Sequence, residues 1–269
     1  EFFIFETKNI EITDNGNLIN ANYGKAISKD NNLEILADNF QYNNSSGILD
    51  INGNGLILVK KKNLKIRFND GTVDPKNFIF DAFGEIEIEN LNRNLKIQTE
   101  KLKFNYKEDI LLSDTKSLIN DDFKNELIAD KFHYQFQKDL LKIQNLKFTD
   151  NNNNILELST AYVNTKTNNL FGKDVSVKLD NKTLNKKNEP RLKGNSLKNN
   201  ETSTEIIKGV FTTCKKRDGC PPWELSANKI LHDKKEKKIK YDNATLRIYD
   251  YPIVYFPKFF HPDPTVKRQ

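Results

Sequence analysis

Small or apolar residues recur along this chain at positions i, i+2, i+4, i+7 and i+9, and the set returns about every 31 residues. The first copy is Leu33, Ile35, Ala37, Phe40 and Tyr42, and the second is Leu64, Ile66, Phe68, Gly71 and Val73. Leu95, Ile97, Thr99, Leu102 and Phe104 form the third, and a fourth runs from Asn125 through Leu127, Ala129, Phe132 and Tyr134. The fifth reads Leu156, Leu158, Thr160, Val163 and Thr165, so the starts lie 31, 31, 30 and 31 residues apart. A late copy, Trp223, Leu225, Ala227, Ile230 and His232, begins 67 residues further on. Alternation with period two places these side chains on one face of a strand. The three-residue step shifts the phase as a bulge or corner does, so each strand is expected to bend partway along. A second apolar stretch follows each start, as at Ile48 to Ile51, Phe78 to Phe83 and Leu140 to Ile143. Turn residues such as Asn43-Asn44-Ser45-Ser46-Gly47 separate the two halves, and each repeat reads as a bent hairpin. Hairpins that bury one face against their neighbours build a quasi-linear stack with a continuous apolar interior.

For any one of these residues, ordinary core of an all-β sandwich is a sufficient account. In an open two-sheet stack the same side chains also line a trough, and the two roles are compatible. The candidate lining is Leu33, Ile35, Phe40, Tyr42, Leu64, Ile66, Phe68, Leu95, Ile97, Leu102, Phe104, Leu127, Phe132, Tyr134, Leu156 and Leu158. From Asp180 to about Glu205 the pattern lapses into Asn, Lys, Thr and Ser, which predicts a less regular insertion near 180–208, either a degenerate repeat or a loop. Prolines at 252, 257, 262 and 264 exclude regular ladder pairing, so 251–269 reads as a connector after a β domain over 1–250.

Composition sharpens this picture. Of 269 residues, 36% are hydrophobic and 30% charged, which is polar for a thick-cored enzyme and suits a thin or elongated stack. The 18 Phe and 9 Tyr beside one Trp are spread through short segments, as strands require. No apolar run is long enough for a membrane helix. The chain contains no Met, even at position 1, and is expected to be a fragment with any signal peptide upstream. A net charge of +6 fits an anionic partner, although 43 Lys and Arg are offset by 37 Asp and Glu.

Catalytic patterns are not found. His133, His232 and His261 lie far apart without a second ligand at metal spacing, so no metal and no cofactor is expected. There is no phosphate loop and no nucleophile elbow, and Glu85, Glu87 and Glu89 read as solvated alternation; the chain is not expected to be an enzyme. Lysines 229, 234, 235, 237, 238 and 240 form a basic hairpin tip without stacking aromatics on the same face, which argues against nucleic acid and leaves a role near lipid phosphates as the sharper alternative to a solvated turn. Cys214 and Cys220 enclose a loop containing Gly219, and a disulfide is the favoured chemistry in an oxidising compartment.

The C-terminal stretch is the specific part. It runs Thr212-Thr213-Cys214, Cys220-Pro221-Pro222-Trp223-Glu224-Leu225, Tyr241-Asp242-Asn243-Ala244 and then Tyr251-Pro252-Ile253-Val254-Tyr255-Phe256-Pro257-Lys258-Phe259-Phe260-His261-Pro262-Asp263-Pro264-Thr265-Val266-Lys267-Arg268. This resembles the junction between the periplasmic OstA/LptA-like domain and the β-barrel of lipopolysaccharide-assembly proteins of the LptD type. Arg191-Leu192-Lys193-Gly194 adds a weaker likeness, and the repeats match the family in pattern only. The resemblance implies an open β-jellyroll of stacked, V-shaped antiparallel strands at the periplasmic face of the Gram-negative outer membrane. It implies that lipopolysaccharide is received from an LptA-like bridge protein by strand augmentation and passed to the chain's own C-terminal β-barrel, with an LptE-type lipoprotein as a further partner. The resemblance places that barrel after these 269 residues. Family cysteines of this domain bond to barrel cysteines, which leaves the pairing of Cys214 and Cys220 open.

Overall fold

The computed structural model describes residues 2–90, 95–120, 126–149, 153–179, 189–215 and 221–262. Among these, regular structure is β-strand apart from three short 3₁₀ turns. The chain is all-β and jellyroll-like, and it divides into two compact units, Glu1–Lys138 and Asp139–Gln269.

In the first unit, β1 (Phe3–Thr13), β2 (Leu18–Ser28), β3 (Leu33–Asn43), β4 (Leu49–Val59), β5 (Leu64–Asp74), β6 (Ile79–Asn90) and β7 (Leu95–Asn105) each pair antiparallel with the next. The last two arms are split. β8 (Ile110–Ser113) and β9 (Ser117–Asn120) both lie on β7, while β10 (Glu126–Ala129) lies on β9 and β11 (Lys131–Gln135) on β8. The second unit runs β12 (Leu140–Thr149), β13 (Ile155–Asn164), β14 (Asn169–Lys178), β15 (Arg191–Asn199), β16 (Ser203–Thr212), β17 (Trp223–Asp233), β18 (Lys238–Ile248) and β19 (Tyr251–Pro262), again each antiparallel to the next.

The corner predicted from the three-residue step is present. Alternate strands carry a left-handed residue at mid-length: Tyr23, Asn54, Gly84, Asn145, Asp174, Lys208 and Asn243. Ladder register shifts at the same level, between Leu36 and Asn39 and between Arg67 and Asp70 for example. In β4 and β6 one extra residue tilts the chain there, whereas in β2, β12, β14, β16 and β18 the left-handed residue makes the bend without a register shift, and each of these strands has two limbs. The apolar set crosses the corner without leaving the interior. In the first unit one limb carries the ladder Ala26, Ile35, Ile57, Ile66, Ile88, Ile97 and Ile119 in register. The other limb carries Tyr42, Leu49, Val73, Phe80, Phe104, Leu111 and Tyr134. All of these are buried. Burying each large side chain stabilises the fold by roughly 1.5–3 kcal/mol.

Three expectations need correction. The described part of the supposed insertion is two regular strands, β15 and β16, so the degenerate-repeat alternative holds there; residues 180–188 lie outside the described residues. The repeat was hidden because Gly194 and Asn199 interrupt the inward leucines Leu192 and Leu197 of β15, so no continuous apolar set registers. The proposed connector is, through Pro262, the strand β19 paired to β18 with a bulge at Leu246/Arg247. Among the described residues β19 pairs with no other strand, and an edge strand accepts proline wherever its N–H would point away from the ladder. Residues 263–269 and the start of the fourth copy at Asn125 lie outside the described residues. Finally, the inward set of β13 is Leu156, Leu158, Ala161 and Val163, so its three-residue step comes earlier than the pattern placed it and Thr160 and Thr165 fall outside the set.

Candidate amphiphile-binding groove

The corners hold the two limbs face to face at their bases. Glycines there make room for large side chains from the opposite limb: a Cβ added to Gly172 would lie 2.4 Å from Leu158 Cδ1, and one added to Gly209 would lie 2.4 Å from Ile230 Cδ1. What distinguishes the two units is how far this contact extends from the corner toward the limb ends.

In the first unit it extends all the way from β2 to β11, while on the edge strand β1 Ile10 and Ile12 of the same rows stay exposed. Leu33, Ile35, Phe40, Tyr42, Leu64, Ile66, Phe68, Ile97, Leu102, Phe104, Phe132 and Tyr134 are all at most 3% exposed; only Leu95 and Leu127 of the predicted lining there are half-buried. The mouth is closed by turns from opposite limbs. Lys62 Nζ, after β4, stands 2.7 Å from Asp109 Oδ2, after β7. Asp109 also accepts from Gln137 Nε2 at 3.2 Å. The ring of Phe2 packs on the Gly47 turn, and the Phe2 N–H donates to the Tyr42 hydroxyl at 3.2 Å. A recess of about 310 Å³ remains between these turns, bounded by Asp30, Lys61, Tyr106 and Lys107 among others. Burial there pushes the Tyr106 hydroxyl pKa well up. Most of the predicted lining is therefore closed core.

The second unit differs. Its rows nearest the corner are buried: Ile143, Ala161, Leu197, Ile206, Ile230 and Tyr241 on one limb, and Leu146, Leu158, Val175, Ala227 and Ala244 on the other. One row further out, cross-strand register aligns Phe148, Leu156, Val177, Leu192, Phe211, Leu225, Leu246 and Val254, one from each of eight strands. The first seven are half-buried and Val254 is 39% exposed. At a strand spacing of about 4.8 Å this apolar wall is roughly 34 Å long. Of its members only Leu156 was expected to line the groove; Leu158 sits beneath it as core. The rest were missed because no single strand reveals the row, which exists only once seven pairings are known.

The facing outer row begins apolar, with Leu141, Val163 and Leu170, and continues as Asn199, Thr204, His232, Ile239 and His261. The Thr204 hydroxyl donates to Asn199 Oδ1 at 2.7 Å, and Tyr241 Oη and His261 Nε2 are 3.0 Å apart. Burial pushes the Tyr241 hydroxyl up to about 12. One wall of the groove is thus greasy and the other turns polar toward β19.

Three of the six lysines of the basic tip, Lys229, Lys238 and Lys240, are neutralised locally. Lys229 pairs with Glu205 at 2.6 Å, and Lys240 with Glu236 at 3.0 Å and Asp233 at 3.2 Å. Glu87 and Glu89 face Arg67 at 3.8 and 3.5 Å on the outer surface, so the glutamate row forms ion pairs there. Cys214 carries a free thiol 3.9 Å from the Trp223 carbonyl; Cys220 lies outside the described residues, and so does the proposed pairing. Among the described residues no three His, Cys, Asp or Glu side chains come together as a metal site. No protein-family model and no curated protein sequence matches the chain.

Proposed function

We propose that this chain is a periplasmic lipid-transfer domain that receives lipopolysaccharide and passes it to an outer-membrane barrel, and that it acts as a surface for sliding rather than as an enzyme. The observation that carries the reading is the half-buried apolar wall running from Phe148 to Val254 above a sealed core. Keeping acyl chains from water is worth about 0.8 kcal/mol per CH₂, and a row of similar side chains across eight strands covers them without one deep well. Cargo then moves between neighbouring positions of similar free energy. The C-terminal resemblance to LptD-type proteins supplies the identity of the lipid, the outer-membrane setting and the barrel and lipoprotein partners. Among the described residues β1 pairs only with β2 and β19 only with β18, which leaves strand edges that suit augmentation by an LptA-like bridge protein.

Photo-crosslinking amino acids at Phe211 and Leu225 test the reading, with Lys193 on the outer face as control. Capture of lipopolysaccharide at both inner positions and not at Lys193 is expected; equal labelling at all three would overturn it. The packed interior of the first unit favours a second reading, a structural β-stack without transfer. On that reading crosslinkers at Phe104 and Tyr134, and at Phe211, all remain lipid-free.

A further inference from the structure

We infer that the outer rim of the second unit contains a subsite for the anionic, phosphate-type head of an amphiphile, centred on Lys234 and flanked by Asn199, Thr204 and His232. The inference rests on the lipid reading of the apolar wall and specifies the other half of its ligand. Thr204 and His232 face each other across β16 and β17 in the outer row, and Asn199 precedes Thr204 in the same row on β15. Lys234 follows His232 by two residues and so continues that face beyond the end of β17. It is half-buried, and its ammonium is held by neutral oxygens, Asn199 Oδ1 at 2.9 Å and the Asn200 carbonyl at 2.6 Å.

Among the described residues no carboxylate pairs with Lys234, unlike Lys229, Lys238 and Lys240 of the same hairpin. Burial holds its pKa below the ordinary lysine value. A cation withdrawn from water without a counter-charge gains most from an anion that brings its own charge to the site. The Asn199 amide N–H₂ supplies hydrogen bonds to further head-group oxygens, and the Thr204 hydroxyl, donating to Asn199 Oδ1, fixes the orientation of that amide. The opposite wall, from Val177 to Leu246, takes the chains. An amphiphile with an anionic head therefore spans the groove from polar rim to apolar wall.

The test compares dodecyl phosphate, dodecyl maltoside and inorganic phosphate, below micelle-forming concentration, binding to the wild-type chain and to Lys234→Ala, Lys234→Arg and Lys238→Ala. Wild type is expected to prefer dodecyl phosphate over dodecyl maltoside by about tenfold, the size of one charge-assisted hydrogen bond. Lys234→Ala should abolish the preference, while Lys234→Arg and Lys238→Ala should keep it. A preference that survives Lys234→Ala, or that Lys238→Ala removes equally, overturns the subsite. Inorganic phosphate binding as tightly as dodecyl phosphate overturns the assignment to an amphiphile. Equal binding of both amphiphiles sinks the subsite and leaves the lipid groove standing, whereas binding of neither sinks both.

Discussion

Single residues decide whether a limb is core or site. Ile66 is fully buried in the isoleucine ladder, so Ile66→Ala should cost about 3 kcal/mol in urea unfolding, from lost transfer energy plus a residual cavity. Leu225 occupies a half-buried position on the apolar wall, and Leu225→Ala should cost only about 1 kcal/mol while weakening amphiphile binding. A reversed order would mean that the wall is the core. Gly24 is a different constraint. A Cβ there would lie 2.2 Å from the Glu6 carbonyl oxygen and 2.6 Å from the Thr7 Cα, both backbone atoms of the paired strand. Gly24→Ala must therefore part β1 from β2, at an expected cost of about 2 kcal/mol. Tyr241 gives a spectroscopic check. Its hydroxyl is pushed up to about 12 by burial, so the neutral phenol is favoured in the folded state. Its contribution is complete below about pH 10 and is lost as pH rises through the folded value. Absorbance near 295 nm should show a late tyrosine ionisation that Tyr241→Phe removes, together with loss of structure.

At the scale of elements, strand positions were legible wherever inward positions were large and apolar, as in β3, β5 and β7. They were lost where small or polar residues interrupt the inward set. In β15, Gly194 cannot signal burial by its own side chain, although the space beside it is filled by Ile206. β19 was misjudged because proline rules describe central strands, and its single partner became visible only in the ladder. The β17–β18 turn is electrostatically organised. Asp233 is held low by the Glu236 N–H and by Lys240, Glu236 is held low by Lys240, and Lys240 is raised by both carboxylates. Depressed carboxylates favour the folded turn above their unfolded values near 4 and lose that contribution as pH falls through the folded ones; the raised lysine favours it until pH climbs past about 10.4. The turn should be ordered between these limits. In an NMR titration the Glu236 amide, which donates to Asp233, is expected to shift with a midpoint below that of an unpaired aspartate, and a midpoint at or above it would contradict the assignment.

At the scale of the whole molecule, the two units use the same hairpin to opposite ends, one sealed and one parted. Amphiphile binding should therefore slow amide exchange in β13 to β18 and leave the ladders of β3 to β6 unchanged, since ligand stabilises only what it contacts or orders. Breaking the turn contact of the first unit with Asp109→Ala removes a partly exposed ion pair worth on the order of 1 kcal/mol. Exchange at Ile35 and Tyr42 should then be several-fold faster; unchanged rates would show that side-chain packing alone keeps that mouth shut. The sequence by itself determined the all-β class, the period near 31, the corner in each strand and the inward face of most of them, because strand alternation and turn chemistry act over a few neighbouring residues. Only the tertiary structure decided which inward residues remain reachable. The wall from Phe148 to Val254 and the polar rim around Lys234 each join residues from several strands. Exposure at the limb ends depends on how far facing limbs part, a distance that contacts between remote turns set.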